Sequence, residues 1–455
     1  MPWTHTLREF AQAVGAEVPA HDTAFSRICT DTRSLLQGDL FLALRGENFD
    51  GNQFLDEALQ KGAVGVVAQE GTAKGPAIRV PDGLAALQRF AAWHRAQFDI
   101  PVIAITGSCG KTTAKDLTAA VLATRGPVAK TAGNLNNEIG LPQSLLNIDA
   151  ATSVAVLEMG ANHMGEIAAL CELARPAESA ITLVAPAHLE GFGSIENVAR
   201  AKGEIMEALG GAGCFYVNND NAYCRDIGAR HHGDKMTFGV EGDVALRQIT
   251  RLDSGELELD IAPVGQLRLP LPVRAHATNV LLAIAVGLRH GVDAKSLEPV
   301  LRQACAGLTR FRVLTLGPLR VLDDSYNANP ASMRAALEAL MEQPGTGLRM
   351  AALGSMLEMG ASAAALHRDV GRAAAELGVT HLYTRGPNAE DLAAGALEAG
   401  MPVAEAVDDH AAMGARIASA VEPGSVLLVK GSRGMRMERV IDALRPLLAP
   451  GLEGG

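Results

Sequence analysis

The residues whose types and spacing point most directly to chemistry are Gly107-Ser-Cys-Gly-Lys-Thr-Thr113. Gly107 and Gly110 let the backbone curl so that several N–H groups point inward, with Ser108 and Cys109 between them. Lys111 adds a cation, and the hydroxyl of Thr112 or Thr113 offers a ligand for Mg²⁺. The longer pattern Gly-x-x-x-x-Gly-Lys-[Ser/Thr] asks for glycine at 105, where Ile105 stands. A bare Gly-Lys-Thr also suits an ordinary turn with an exposed lysine. The flanks weigh against that reading. Pro101-Val-Ile-Ala-Ile-Thr106 reads as a buried strand, and a helix follows with Ala114, Leu117 and Val121 on one face, ending at Arg125-Gly-Pro127. A strand, a glycine-framed turn and a helix make a triphosphate cradle.

Other chemistry-bearing residues cluster after apolar runs. Val154-Ala-Val-Leu-Glu158 is a buried strand ending in an acid. At the carboxyl end of a parallel strand, Glu158 faces the crevice where such sheets bind ligands and can hold Mg²⁺. A strand expected at Ile181–Val184 delivers His188 and Glu190 to the same rim, although a loop histidine is more often ordinary than a ligand. Gly133-Asn-Leu-Asn-Asn-Glu-Ile-Gly-Leu-Pro142 is a polar loop whose amides, Asn134 and Asn137 among them, could orient a ligand. In Ile195, Val198, Lys202, Ile205 and Leu209 the 3-4-3-4 spacing puts Lys202 in the apolar stripe of a helix. Snorkelling is the bland explanation, and a modified or partnered lysine the sharp one. Near the start, Asp31-Thr32-Arg33 could hold a diphosphate through a guanidinium fork, or Arg33 could be a surface charge.

The elements that must position these residues fit three domains of an α/β protein, expected at 1–84, 85–308 and 309–455. The chain has 455 residues, too many for one core, with 48% apolar and 20% charged residues. Thr6 caps a first helix carrying Leu7, Phe10, Ala11 and Val14, and Gly15 ends it. A strand at Gly38–Gly46, a turn at Asp50-Gly51 and a helix from Phe54 to Leu59 follow. A helix from Leu84 to Phe98 leads into the phosphate loop and a mostly parallel central sheet. A strand-like polar stretch (242–273) precedes a helix from Ala275 to Leu288. The last third alternates strands at Leu319–Asp323, Met350–Leu353, His381–Thr384 and Val426–Val429 with Ala-rich helices, a Rossmann-like unit. Its polar stretches, Asp323-Asp-Ser-Tyr-Asn-Ala-Asn-Pro330 and Lys430-Gly-Ser-Arg433, sit just after strands. The net charge of −11 is spread rather than blocked, which disfavours nucleic acid and anionic membrane as partners. Six cysteines without C-x-x-C spacing suit a reducing compartment. The opening Met-Pro-Trp-Thr-His-Thr carries no basic-then-apolar leader, and no apolar run approaches membrane-spanning length. A soluble cytoplasmic protein is expected.

Taken in order along nearly the whole chain, these stretches resemble the Mur ligases, ATP-dependent amide-forming enzymes of peptidoglycan precursor synthesis and hence of cell-wall biogenesis, cell shape and division. The resemblance is carried by Thr30-Asp-Thr-Arg33 with Gly38-Asp-Leu-Phe-Leu-Ala-Leu, by Ile105–Thr113, Gly133–Pro142 and Leu157-Glu-Met-Gly-Ala-Asn162. It continues in Ala187-His-Leu-Glu190, Ala201-Lys202, Asp323–Pro330 and Lys430–Arg433. It is strongest to the branch that adds D-Ala-D-Ala to UDP-MurNAc-tripeptide. The Asp-Asn-Pro-Arg signature of diaminopimelate-adding ligases is absent.

The resemblance implies a uridine-nucleotide-binding first domain, a central ATPase domain and a Rossmann-like last domain, working as a monomer on small-molecule substrates. It implies uridine-diphosphate contacts at Asp31, Thr32 and Arg33, and ATP phosphates at Gly107 to Thr113. Mg²⁺ would sit near Thr112, Glu158 and His188, with a second Mg²⁺ on an N-carboxylated Lys202. Asn279, Arg310 and Asp324 would contact ATP, and Tyr326 and Asn329 would lie beside it with the substrate. Catalytic roles would fall to Lys111, Glu158, His188 and Lys202. There are departures. Arg274-Ala-His-Ala-Thr-Asn279 is one residue short between His276 and Asn279, Ser355 replaces an acid in Gly354-Ser-Met-Leu-Glu-Met-Gly360, and Cys109 stands where asparagine is frequent. Folylpolyglutamate synthase shares the ATPase core but lacks a region like Thr30–Asp50. The departures also leave open a regulatory protein that kept the ATP fold without turnover.

Overall fold

The computed structural model describes residues 3–46 and 49–448. The opening Met1-Pro2 and the last residues of the expected third domain, 449–455, lie outside the described residues. Locally strong signals fold as their sequence dictates. Helix Leu7–Val14 is closed by a reciprocal capping box between Thr6 and Glu9 and ended by Gly15 at φ +71°, and Leu7, Phe10, Ala11 and Val14 are its buried face.

Among the described residues the first domain centres on four parallel strands, Ile28–Cys29, Leu40–Leu42, Gly65–Ala68 and Ala77–Arg79. The single strand expected over Gly38–Gly46 is broken. Its second half, Arg45–Gly46, pairs instead with Phe49–Asp50. The break comes where Gly51 N–H donates to Leu44 O at 2.8 Å, an approach so close that a Cβ at Gly51 would lie 2.8 Å from that oxygen. A 3₁₀ turn at Gly51–Phe54 then leads into helix Leu55–Gln60. Helix Gly83–Arg95 packs both on helix Leu7–Val14 and on Gly140–Leu145 and Glu166–Ala174, so it joins the first core to the second.

The central sheet has nine strands in the spatial order Val128–Lys130, Val154–Glu158, Val102–Thr106, Glu178–Ile181, Cys214–Asn218, Asp234–Gly239, Val244–Arg251, Leu257–Ala262 and Gly265–Leu269. All neighbours are parallel except the last two pairs. The phosphate-loop strand lies between the strands that end at Glu158 and Ile181, and their carboxyl ends share one rim. Helix His276–Arg289 is buried over most of its length and packs on the loop helix Lys111–Leu122. The approach is close: a Cβ at Gly287 would come within 2.5 Å of Val121 Cγ1.

The strand expected at Ile181–Val184 is found three residues earlier, at Glu178–Ile181. The cause is the phosphate loop. Thr182 turns its hydroxyl to Thr106 O and Cys109 O, and Leu183 O and Ala185 bond Ser108, which draws residues 182–185 out of the sheet.

The C-terminal domain is a six-stranded sheet, Arg312–Leu316, Leu319–Asp324, Val426–Lys430, Arg349–Gly354, His381–Arg385 and Val403–Ala406, parallel except for the first pair. The two edge strands add to the four the sequence marks. All six cysteines are free thiols, and no helix among the described residues is long and apolar enough to cross a membrane.

Candidate active site

The loop is built for an anion. Gly107 has φ +149° and Gly110 φ +85°, and Gly110 is the N-cap of helix Lys111–Leu122 without any side chain capping it. The first N–H groups of that helix are therefore left for a ligand. The two glycines are also required by packing. A Cβ at Gly107 would lie 1.9 Å from Thr182 Oγ1, and one at Gly110 2.6 Å from Asn279 Oδ1. Asn279 is thus in place against the loop although its spacing from His276 is short. Lys111 Nζ donates to Gly107 O at 2.8 Å, folded back over the loop. Thr113 is buried and Thr112 half-buried, and burial pushes the Cys109 thiol pKa up.

Beside the loop, Glu158 is 2% exposed. Its Oε1 accepts from Asn136 Nδ2 at 2.6 Å, while Oε2 is buried with no hydrogen-bond partner. A buried carboxylate oxygen left without a partner is costly, and a cation is what would satisfy it. Its backbone N–H donates to Thr131 Oγ1 at 2.9 Å, and Thr131 O accepts from the buried Lys115 Nζ at 2.8 Å. Lys202 is 2% exposed, on helix Ile195–Glu207, and makes no ion pair among the described residues. Burial, and then the nearby Lys111, bring its pKa down to about 7. His188 is held at φ +51° just before a short helix. Burial lowers its pKa against the opposing effect of Glu358, and both Lys111 and Lys202 lie close enough to add to the lowering. Lys111, His188 and Lys202 thus lie near enough to one another for their charges to be felt.

The C-terminal domain reaches the same loop. Asn329 caps helix Pro330–Met341 and also donates through Nδ2 to Ser108 O at 3.2 Å. Asp324 pairs with the buried Lys430, whose Nζ also donates to Asn327 O at 2.9 Å; burial pushes the Asp324 pKa up against Lys430. Arg310 stacks its guanidinium over the Tyr326 ring at 3.0 Å from the centroid, with Arg433 5.6 Å away on the same ring. These side chains line a cavity of about 300 Å³ together with Phe311, Asp323 and Ser325. Ser355, where an acid was expected, is fully buried and accepts from Asn388 N at 3.0 Å, a local structural bond. His276 is half-buried, but its Nδ1 is enclosed and unpartnered, and its pKa is lowered to about 4, mainly by desolvation.

The remaining expected residues stand apart. Arg33 is 88% exposed and forks onto Asp31, holding that carboxyl at about 2, while Thr32 O accepts from Lys61 Nζ. Gln143 Nε2 bonds Thr30 Oγ1 at 3.3 Å and ties this turn to the central domain. Asn134 is exposed, and the Asn137 oxygen accepts Gly140 N at 2.9 Å. Of the amide-rich turn it is Asn136, singled out by nothing in its type or spacing, that reaches Glu158. Lys430 stands in a stretch the sequence marks, whereas Lys115 and Glu358 were also missed. Only their packing partners, far away in sequence, distinguish them.

A phosphate loop at the carboxyl ends of a parallel sheet, flanked by a first domain and covered by a Rossmann-like third, defines a three-domain ATP-dependent ligase architecture. Residues 24–95 match the model of the Mur ligase family, catalytic domain; 105–287 match the Mur ligase middle domain; and 309–433 match the Mur ligase, glutamate ligase domain. The chain belongs to the Mur ligase family. It is 36% identical to the UDP-N-acetylmuramoyl-tripeptide–D-alanyl-D-alanine ligase of Escherichia coli (strain K12), over 97% of this chain and 98% of that one. A crystal structure of MurF from Acinetobacter baumannii superposes with a TM-score of 0.89 at 32% identity, covering 98% of this chain and all of that chain. Folylpolyglutamate synthase of Mycobacterium tuberculosis shares the fold alone, with a TM-score of 0.61 and 16% identity over 80% of this chain.

Proposed function

We propose that this protein is the ATP-dependent ligase that joins D-Ala-D-Ala to UDP-MurNAc-tripeptide through an acyl phosphate. The observation that carries the reading is the full-length match to ligases so named, first domain included. A folylpolyglutamate synthase reading leaves that first domain without a purpose.

A carboxylate is a poor electrophile, so the tripeptide's terminal carboxylate first attacks the γ-phosphorus of ATP. Gly107 to Thr113 cradle the phosphates through backbone N–H groups. Lys111, released from Gly107 O, neutralises charge on the transferred group. The free amine of D-Ala-D-Ala then attacks the acyl carbon, and phosphate leaves. Arg310 and Tyr326 offer a flat cationic and aromatic surface at the nucleotide, with Asn279 and Asp324 beside it. Asn329 ties the C-terminal domain to the loop and helps exclude water that would hydrolyse the intermediate. Asp31, Thr32 and Arg33 are assigned to the uridine diphosphate, and Asn134 and Asn137 to the substrate.

Mg²⁺ dependence goes with the family. Among the described residues no three His, Cys, Asp or Glu side chains form a cluster able to hold an ion alone. Glu158 Oε2 nevertheless fits one donor of a site completed by phosphate oxygens and water, Mg²⁺'s usual company. Thr112 and His188 would join it, and the ion would screen the two anions that must meet. Lys202, buried and with its pKa brought down to about 7, makes the neutral amine accessible near neutral pH. Carboxylation of that nitrogen by CO₂, with loss of a proton to solvent, would give a carbamate whose hard oxygens would help hold a second Mg²⁺. Phosphate release with ATP and UDP-MurNAc-tripeptide should depend on D-Ala-D-Ala; equal release with diaminopimelate, lysine or glutamate would overturn the assignment.

A further inference from the structure

Glu358 reaches from the C-terminal domain to His188 in the central one. It lies in the turn after strand Arg349–Gly354, and its carboxylate bonds His188 Nδ1 while its carbonyl accepts Glu190 N–H at 3.0 Å. Glu358 has φ +64° and His188 φ +51°, so two non-glycine residues face each other in left-handed conformations. Each costs of order 1 kcal/mol or more, and such residues gather where geometry serves function.

The turn is held from behind by buried bonds. Met356 N–H donates to His367 Nε2 at 2.8 Å, His367 Nδ1 donates to Ala363 O at 2.6 Å, and Leu357 N–H donates to Ser432 Oγ at 2.9 Å. His367 and Ser432 thus aim Glu358. The Glu358 side chain is 52% exposed and that of His188 31%. A carboxylate–imidazole hydrogen bond so exposed adds little to stability, so its worth must lie in what it does to the imidazole.

We propose that Glu358 is a positioning residue: its carboxylate fixes His188 with the proton on Nδ1 and the Nε2 lone pair free for ligand, and does so only when the C-terminal domain is docked. Histidines that serve metals characteristically donate their other N–H to a carboxylate in this way. The site at the phosphate loop would then be complete only in the docked arrangement, which links nucleotide use to domain closure. This rests on the role proposed above for His188.

The test uses the full chain labelled with ¹⁵N-histidine, as wild type, Glu358→Ala and Glu358→Gln. Glutamine keeps an oxygen that can accept Nδ1–H; alanine does not. Wild type and Glu358→Gln should show the Nδ1–H form of His188, and Glu358→Ala a mixture of tautomers. The Mg²⁺ concentration for half-maximal phosphate release should rise about tenfold in Glu358→Ala and less than about twofold in Glu358→Gln, with UDP-substrate affinity unchanged. An unchanged tautomer and Mg²⁺ requirement in Glu358→Ala would overturn the proposal, as would a glutamine variant as impaired as the alanine one. The tautomer is read without substrate, so a wild-type protein inactive with D-Ala-D-Ala would refute the acceptor assignment and leave this result standing.

Discussion

Replacing Gly107 with alanine tests whether the phosphate loop needs the conformation described here. The new Cβ would sit 1.9 Å from Thr182 Oγ1 and 3.1 Å from Thr182 Cβ, at a φ of +149° that side chains avoid. The backbone strain alone is about 1–3 kcal/mol. Rotating Thr182 away relieves the clash but gives up the one hydroxyl proton it shares between Thr106 O and Cys109 O, about 1 kcal/mol. If the loop escapes instead, the Ser108 bonds to Leu183 O and Ala185 O go with it. Either way roughly 3 kcal/mol opposes the binding conformation, a weakening of nucleotide affinity of about a hundredfold. Calorimetric titration with a non-hydrolysable ATP analogue measures it, with UDP-substrate binding as the control that should not move. Adding Thr182→Ala should recover part of the loss by removing the hydroxyl. Nucleotide affinity within threefold of wild type, or no coupling between the two substitutions, would refute the argument from packing.

Glu158→Gln removes the charge for a cation yet relieves a buried oxygen without a partner. Turnover should fall at least about a hundredfold while the urea midpoint holds or rises; a clear loss of stability would contradict the metal role. Lys202→Ala should lose most activity with the fold intact and recover part of it with formate or acetate, whereas Lys202→Arg should stay inactive because it keeps the wrong charge. Full activity in Lys202→Arg would exclude the carbamate. His94 is buried, with Nδ1 facing His5 Nε2 at 2.9 Å and Nε2 facing Ile148 O at 2.8 Å, and burial lowers its pKa from 6.5 to about 4. The unfolded chain therefore takes up the proton first. The stability that follows is full above pH 6.5 and is lost as pH falls to 4, by roughly 3 kcal/mol. Urea titrations of His94→Phe should show the fall between pH 7 and 4 smaller by about that amount; curves parallel to wild type would contradict it.

What the sequence disclosed was whatever neighbours in the chain decide. The stripe, cap and terminal glycine of helix Leu7–Val14 are all local, and the strand ending at Glu158 is a continuous apolar run. Lys202 was legible because its place in a 3-4-3-4 stripe is a local fact with a buried consequence. Strand Glu178–Ile181 was misplaced because the loop, 75 residues earlier in the chain, competes for Thr182 and Leu183. Edge strand Arg312–Leu316 carries charge and little burial, so it lacks the alternation that marks a strand. Asn136 differs from Asn134 and Asn137 only in where the turn points it. Glu358 and Lys115 gain their meaning from partners across domains or layers, information that no window of sequence holds.

The central claim is tested most directly with UDP-MurNAc-tripeptide carrying oxygen-18 in its terminal carboxylate, incubated with ATP and Mg²⁺ and either D-Ala-D-Ala or a single amino acid. Attack by that carboxylate on the γ-phosphorus and expulsion of phosphate by the amine should leave one labelled oxygen in the phosphate and one in the new amide. Labelled phosphate should accumulate only with D-Ala-D-Ala. Unlabelled phosphate would contradict the acyl phosphate, and labelled phosphate formed equally well with a single amino acid would contradict the acceptor.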